Sequence, residues 1–148
     1  MVLIPDFLEE AAMSFEQVRK IMEEAGSGFL ATTDGERAAV RPMGGGTWFG
    51  RELWFATSAD SAKVAEIKKK PSVEFCFMDK EMRHVRISGR CAVSTDDGDK
   101  KKIYDAIPVL KRYYKTPTDP GLVVLRTKVD KIRLMNTADM KYTEVSLP

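Results

Sequence analysis

Short apolar-rich runs, several of them alternating with polar residues, follow one another along most of this chain. The runs cover residues 29–33, 37–43, 47–49, 52–57, 73–78, 85–93, 122–128 and 131–136. Runs of four to eight residues that alternate with a period of two and are bounded by turn residues are typical of half-buried β-strands. The pattern therefore predicts a protein built mainly from β-strands.

Turn and bulge signals show how these strands connect. Asp34-Gly35 and Gly50-Arg51 each separate two adjacent runs and predict two tight hairpins. The three glycines at 44–46 are expected to break or bulge the second strand. Gly89 predicts a bulge or a close backbone approach, and Val129-Asp130 predicts a kink between the last two runs.

Three segments have helical rather than strand periodicity. In the first, Ser14 with Gln17 forms a capping box and Met13 with Val18 a hydrophobic staple, so the helix is expected to begin at Ser14. Gly26 is expected to end it in the left-handed conformation. Two further helices are expected within residues 58–70 and 94–107, with a short helical turn over 109–114.

The order of these elements indicates an antiparallel architecture. Hairpins and short connections do not suit a parallel sheet, whose crossovers need about a dozen residues or more. A Greek-key barrel removes the unpaired edges that an open sheet would leave. We therefore expect one mainly β (α+β) domain over residues 1–148, a six-stranded antiparallel Greek-key β-barrel with flanking helices.

Composition narrows the classes of function. The chain has 24 basic and 22 acidic residues, and its net charge of +2 gives no general basic field for nucleic acid. Cys76 and Cys91 lie in apolar runs without CxxC spacing, and are expected to be free buried thiols. His84, the only histidine, is expected to be a structural polar residue at a strand start. No signal peptide or membrane span is expected, so a cytoplasmic location is predicted.

The most informative stretch joins a buried strand to a helix at residues 53–63. The apolar run ends in Thr57 and Ser58, and Ser61 and Lys63 follow at the start of the helix. Hydroxyl groups, an ammonium group and free helix amides together suit a phosphate monoester. The alternative at this point is structural, because Ser58, Asp60 or Ser61 could simply cap the helix.

A second informative stretch is Val40-Arg41-Pro42-Met43. Arg41 alternates with apolar Val40 and therefore faces the opposite side of its strand. An arginine inside a barrel needs an anionic partner because burying an unpaired charge is costly. A solvent-facing arginine on the hairpin is the alternative.

Together, these stretches resemble the FMN-binding split barrel of the pyridoxamine 5'-phosphate oxidase-like superfamily. The matching segments are residues 28–32, 40–43, 53–63, Pro71 and 85–89. They agree with the family in order and spacing over roughly residues 14–135. Within the superfamily, the chain looks most like the short bacterial proteins that include the nitroimidazole-resistance group. The resemblance implies a split β-barrel and FMN as the cofactor.

The resemblance also implies a role for each matching position. The hydroxyl residues and the lysine would hold the FMN phosphate, and the arginine would reach the phosphate or the polar edge of the flavin. The remaining three would lie beside the flavin ring. The cofactor-binding residues implied in this way are Arg41, Pro42, Met43, Ala56, Thr57, Ser58, Ser61 and Lys63.

The same resemblance implies an FMN-dependent oxidoreductase that acts on a small molecule, as a homodimer with the flavin between its subunits. No nucleic-acid or membrane partner is expected. A non-catalytic flavin-binding or stress-response protein is the alternative, as is a split barrel that uses deazaflavin F420 or haem. The chain lacks the basic C-terminal segment of true pyridoxamine phosphate oxidases, so oxidation of that substrate is not expected. Trp48, Trp54 and Tyr113-Tyr114 are candidates for partner contacts or for core packing.

Overall fold

Eight antiparallel strands and three α-helices make up the computed structural model, which describes the backbone of residues 6–148 and the side chains of residues 14–148. The helices are α1 (Asp6–Ala25), α2 (Ala62–Lys69) and α3 (Asp97–Ala106), and a 3₁₀ helix spans Pro108–Arg112. The strands are β1 (Ser27–Thr33), β2 (Ala38–Gly44), β3 (Thr47–Phe49), β4 (Glu52–Ser58), β5 (Ser72–Met78), β6 (His84–Ser94), β7 (Leu122–Asn136) and β8 (Lys141–Val145).

The strands form one sheet in the order β2-β1-β5-β6-β7-β4-β3, and β8 pairs with the second half of β7. This arrangement confirms the predicted mainly β split-barrel class. The sheet has eight strands rather than six. Both predicted hairpins are present, and the two runs at 122–128 and 131–136 join into the single strand β7. β8 was not predicted, because four of its five residues are exposed and it carries no clear apolar pattern.

A bulge bends β7 at the predicted place. Ser88 pairs with Lys131 while Gly89 pairs with Val129, so Asp130 is the extra residue. A Cβ atom on Gly89 would lie 2.3 Å from the carbonyl oxygen of Lys128, which confirms the close backbone approach. The bend allows β7 to pair with β4 before the bulge and with β8 after it.

The first helix begins earlier than the sequence pattern predicted. It starts at Asp6, so Ser14 lies inside the helix and the predicted capping box is wrong. Leucine, glutamate, alanine and methionine before Ser14 are strong helix formers, and they extend the helix past a residue that would otherwise cap it. The predicted staple involves Met13, whose side chain lies outside the described part. Gly26 ends the helix with a φ of 73°, as predicted.

Two hydrophobic cores flank the sheet. The larger core fills the barrel and includes the stacked rings of Phe55 and Phe75, whose centroids lie 4.6 Å apart. The smaller core lies between α3 and the outer face of β4 and β7, around Trp54 and Ile103. This second core fixes α3 and the 3₁₀ helix beside the end of β4. No helix within residues 6–148 is long and apolar enough to cross a membrane.

Candidate functional site

The end of β4 and the start of α2 form the centre of the candidate site. Pairing with β7 turns Thr57 toward the barrel and leaves Ser58 exposed at the end of the strand. Residues 59–61 form a short loop, and α2 is held against the barrel by the buried side chains of Val64 and Ile67. The helix therefore presents its first turn next to the end of β4.

Lys63, in the first turn of α2, has a hydroxyl partner but no acidic one. Its Nζ donates to Thr57 Oγ1 at 2.8 Å, and among the described side chains no carboxylate lies within salt-bridge distance. Burial lowers the pKa of the Lys63 ammonium, and the positive charge of Arg41 lowers it further. A half-buried ammonium beside another cation is a favourable place for an anion.

Ser61 occupies the N-cap position of α2 without capping it. Its backbone is extended, with φ of −73° and ψ of 150°, but its side chain accepts no hydrogen bond from the helix. Its Oγ atom is buried and has no hydrogen-bond partner among the described residues. The first turn of α2 also contains no acidic residue. The structural alternative from the sequence, side-chain capping by Ser61, is therefore not what the structure shows.

Arg41 faces inward from β2 and is already paired. Its guanidinium donates to Glu66 on α2 at 2.9 Å, to Thr32 Oγ1 at 2.6 Å and to the Leu30 carbonyl at 3.3 Å. Thr32 also donates to Glu66. Hydrogen bonds from Thr32 and then from Arg41 lower the pKa of the Glu66 carboxyl. The anionic partner that the sequence required is thus a residue of this chain.

A cleft of about 900 Å³ opens beside the end of β4. This volume lies within the range of small-molecule sites, about 300 to 1,000 Å³. Its polar end carries Lys63, and Ser58 Oγ lies 3.2 Å from the hydroxyl of Tyr114. The other lining residues are mainly apolar or glycine: Pro42, Met43, Gly44, Gly45, Ala56, Thr57, Ile107, Val109, Leu110 and Tyr113.

Gly44 and Gly45 leave open space in this cleft that no neighbouring atom of the described chain fills. A Cβ atom added at Gly44 or Gly45 would meet nothing within 4 Å, and neither residue has a positive φ. Gly46 differs, since a Cβ there would lie 2.5 Å from the ring of Phe55. Gly44 and Gly45 line the cleft, and open space beside a glycine is the arrangement expected where a ligand approaches the backbone closely.

The structure brings six of the eight predicted cofactor-binding residues together at the cleft. Arg41 is directed to Glu66, and Ser61, whose Oγ is buried, is not among the residues that line the cleft. The sequence prediction missed Ile107, Val109 and Leu110, which form part of the cleft wall. Pro108 marked a break after α3, but only the tertiary fold shows that the 3₁₀ helix turns back toward β4.

Other candidate residues have structural partners. Trp48 Nε1 lies 3.4 Å from the Met22 sulfur and Trp54 Nε1 donates to Glu52, so both tryptophans pack within this chain. His84 contacts the Met82 carbonyl and the Tyr142 hydroxyl and does not line the cleft. Burial raises the pKa of the Cys91 thiol to about 11, which leaves it unreactive.

A second groove, of about 940 Å³, lies over β6 and β7. Two guanidinium groups line it, and that of Arg126 is already paired with Glu52 at 2.9 Å and with Asp99 at 3.0 Å. Asp96 and Asp130 add negative charge to the same groove, and Arg90 and Lys128 add positive charge. Because three basic side chains of this groove are matched by three acidic ones, it is a weaker candidate than the cleft beside Lys63.

The fold is that of a small split β-barrel. Its cleft, which is polar at one end, lies between the end of a strand and the start of a helix. The chain belongs to the pyridoxamine 5'-phosphate oxidase-like family, whose model matches residues 13–145. It is 29% identical over 141 residues to general stress protein 26 of Bacillus subtilis, covering 89% of this chain and 94% of that protein.

Two solved structures support the fold. A NimC/NimA family protein from Clostridium acetobutylicum has a TM-score of 0.78 at 22% identity, with 90% of this chain and 94% of that chain covered. A pyridoxamine 5'-phosphate oxidase-related, FMN-binding protein from Nostoc punctiforme has a TM-score of 0.66 at 16% identity, with 99% and 100% covered. At these identities the two structures establish the shared split barrel alone.

Proposed function

We propose that this protein binds FMN in the cleft, with the phosphate at the junction of β4 and α2. The observation that carries the proposal is the first turn of α2, where Lys63 has no acidic partner and the Ser61 hydroxyl has no hydrogen-bond partner among the described residues. Thr57 and Ser58 add hydroxyl groups at the same place. A phosphate monoester would supply the acceptors that these groups lack.

The apolar end of the cleft suits the flavin ring. Pro42, Met43 and Ala56 line it, and Gly44 and Gly45 leave backbone open to close approach. A flat, largely apolar ring with a few polar atoms matches a wall of small and apolar residues. Arg41, held by Glu66, would contribute positive charge behind Lys63 rather than a direct contact.

We further propose that two copies of the chain enclose the flavin. The outer face of β1 and β2 exposes Phe29 by 54% and Val40 by 68%, and Phe29 pairs with Pro42 at the edge of the cleft. An exposed apolar face of this kind is typical of an interaction surface. Because it continues into the open side of the cleft, a second copy of the chain is the occupant that would also complete the site.

The assembly has a direct test in solution. Light scattering should give twice the chain mass of 16.6 kDa for the native protein. Val40→Asp should give the single-chain mass, because a charge would replace an apolar contact. Met140→Asp is the matched control, since Met140 is equally exposed on the turn before β8. A native protein of single-chain mass would contradict the dimer.

When bound, FMN supplies electron or hydride transfer. The chain would bind it, orient its ring and limit water at the apolar end of the cleft. The described residues that line the cleft include no carboxylate and no histidine. We propose that the protein acts as an FMN-dependent oxidoreductase on a small molecule, with the cofactor carrying the electron or hydride chemistry and no carboxylate or histidine of this lining needed.

The first experiment is a visible absorption spectrum of the purified protein, before and after FMN is added and the sample is desalted. We expect flavin bands that remain with the protein and a much weaker retention of riboflavin, which lacks the phosphate. Equal retention of both would contradict the phosphate site. Parallel titrations with deazaflavin F420 and haem separate the alternative cofactors, and tighter binding of either would replace FMN in the proposal.

A non-catalytic flavin-binding protein is the second candidate. The absence of a carboxylate and of a histidine among the described residues of the cleft lining favours it. Steady-state oxidation of NADH or NADPH with a quinone or nitroaromatic acceptor separates the two functions. Turnover by the FMN-loaded protein well above free FMN supports an oxidoreductase, whereas tight FMN binding without turnover supports the non-catalytic function.

A further inference from the structure

Helix α3 fixes the connector, residues 113–121, that joins the 3₁₀ helix to β7. Lys100 Nζ donates to the carbonyl oxygen of Asp119 at 2.7 Å. One turn further along, the Tyr104 hydroxyl lies 3.0 Å from the Tyr114 carbonyl and 3.3 Å from that of Lys115. Both side chains are buried, with 4% and 8% exposure. The connector is thus held at two points by one face of α3.

The connector in turn holds the loop between β4 and α2. The Gly121 carbonyl accepts a hydrogen bond from the Ala59 amide at 2.9 Å. The Tyr114 hydroxyl lies 3.2 Å from Ser58 Oγ. Two hydrogen-bonded paths therefore run from α3 through the connector to the point where the phosphate is proposed to bind.

Lys100 is an unusual choice for a purely structural contact. A buried ammonium is costly unless it is paired with an acid. Among the described side chains no carboxylate lies within salt-bridge distance of its Nζ, and its recorded partner is a main-chain carbonyl. A long cationic side chain can reach across to a loop and hold a carbonyl there, which a buried apolar residue cannot do.

Helix α3 is rigid enough to act as a support. Asp99 accepts hydrogen bonds from Ser94 at 2.6 Å and from Arg126 of β7 at 3.0 Å, which tie the first turn of the helix to the sheet. Ile103, between Lys100 and Tyr104, is fully buried in the second core. Helix α3 is therefore anchored to the sheet, and it holds the connector in a fixed position relative to the sheet.

We propose that Lys100 and Tyr104 are positioning residues for the phosphate end of the flavin site, an inference that rests on the proposed function. Neither residue lines the cleft. They act by holding the connector, which places Ala59 and Ser58 and hence the loop before α2. Their removal should therefore weaken recognition of the phosphate and leave recognition of the flavin ring unchanged.

Two near-isosteric variants test this inference. Lys100→Met removes the ammonium and Tyr104→Phe removes the hydroxyl, while both keep the buried volume. Lys101→Met is the control on the same helix, because Lys101 is exposed and its ion pair is with Asp105 of the same helix. The first measurement is amide hydrogen exchange in the ligand-free proteins. We expect exchange at Ala59 to be about tenfold faster in both test variants and unchanged in the control.

The second measurement compares affinities for FMN and riboflavin. We expect the Kd for FMN to rise about three- to tenfold in each test variant, with the Kd for riboflavin unchanged. Unchanged exchange at Ala59 in a folded variant would overturn the inference, and so would equal weakening of both flavins. If Lys100→Met does not fold, Tyr104→Phe alone decides. Faster exchange in a protein that binds no FMN would overturn the proposed function instead.

Discussion

The sequences at the starts of α2 and α3 are similar, but only α3 has an N-terminus that is capped by a side chain. Both N-cap residues are extended, with φ and ψ of −73° and 150° at Ser61 and −61° and 130° at Asp96. The Asp96 side chain accepts a hydrogen bond from the Asp99 amide at 3.0 Å, whereas the Ser61 side chain accepts none from α2. Both N-cap residues have the extended backbone that capping requires, but only the one before α3 forms the side-chain hydrogen bond to its helix.

The charged residues in the first turns of the two helices also differ. The first turn of α3 contains Asp97 and Asp99, which favour the positive end of the helix dipole. The first turn of α2 contains no acid and places Lys63 there, an arrangement that the dipole disfavours. Helix α3 is capped within the chain, whereas the phosphate that we propose would supply the negative charge that the first turn of α2 lacks.

Removing the cation at α2 should have the largest effect. Lys63→Ala is expected to weaken FMN binding about ten- to hundredfold, because hydrogen bonds to charged groups contribute about 1.5–3 kcal/mol. The affinity for riboflavin should stay the same. Quenching of flavin fluorescence measures both. Lys68→Ala, at the exposed end of the same helix, is the control. An unchanged Kd for FMN in Lys63→Ala would remove the phosphate site from α2.

Removing the cap of α3 should affect folding and not binding. Asp96→Ala is expected to lower the free energy of unfolding by about 1 kcal/mol, since the Asp99 amide would lose its acceptor. Asp96→Asn retains a capping oxygen and should recover most of the loss. Urea denaturation monitored by tryptophan fluorescence measures the change. A stability equal to that of the native protein would show that the cap is not an energetic requirement.

The sequence could predict where both helices begin but not which one is capped. Hydroxyl and acidic residues before an apolar helical pattern mark a helix start, and this local signal was present at 58–61 and at 94–97. Whether a side chain then bonds to its own helix depends on its rotamer and on the loop around it. The orphaned Ser61 hydroxyl is visible only in three dimensions.

Contacts between residues far apart in the chain also could not be predicted from the sequence pattern. The pattern indicated that an inward Arg41 needs an acid, but Glu66 lies 25 residues further along and meets it only when α2 packs on the barrel. The 3₁₀ helix contributes Val109 and Leu110 to the cleft because the second core turns it back toward β4. Periodic strands and hairpins depend on neighbouring residues and could be predicted, whereas these contacts depend on the closed fold.

Removing the Ser61 hydroxyl should weaken FMN binding without lowering stability, whereas removing the Asp96 cap should lower stability without weakening binding. Ser61→Ala is expected to leave the free energy of unfolding unchanged or slightly higher, because a buried hydroxyl without a partner is lost. FMN binding should weaken about three- to tenfold if the hydroxyl donates to the phosphate. The same denaturation and titration measurements apply. A stability loss of about 1 kcal/mol would instead show that Ser61 caps α2 in solution.

The smallest effect expected is on the pH dependence of binding. Because burial and then the charge of Arg41 lower the pKa of Lys63, the free protein loses this ammonium at a lower pH than an ordinary lysine would. A bound phosphate dianion favours the ammonium, so affinity for FMN should fall as pH rises through the lowered pKa. Riboflavin affinity, measured in the same buffers at constant ionic strength, reports any titration of the ring. Lys63→Arg keeps its charge throughout this range and should bind FMN without the alkaline decline. An equal decline in Lys63→Arg would assign the pH dependence to a group other than Lys63 and remove this part of the contrast between the two helix starts.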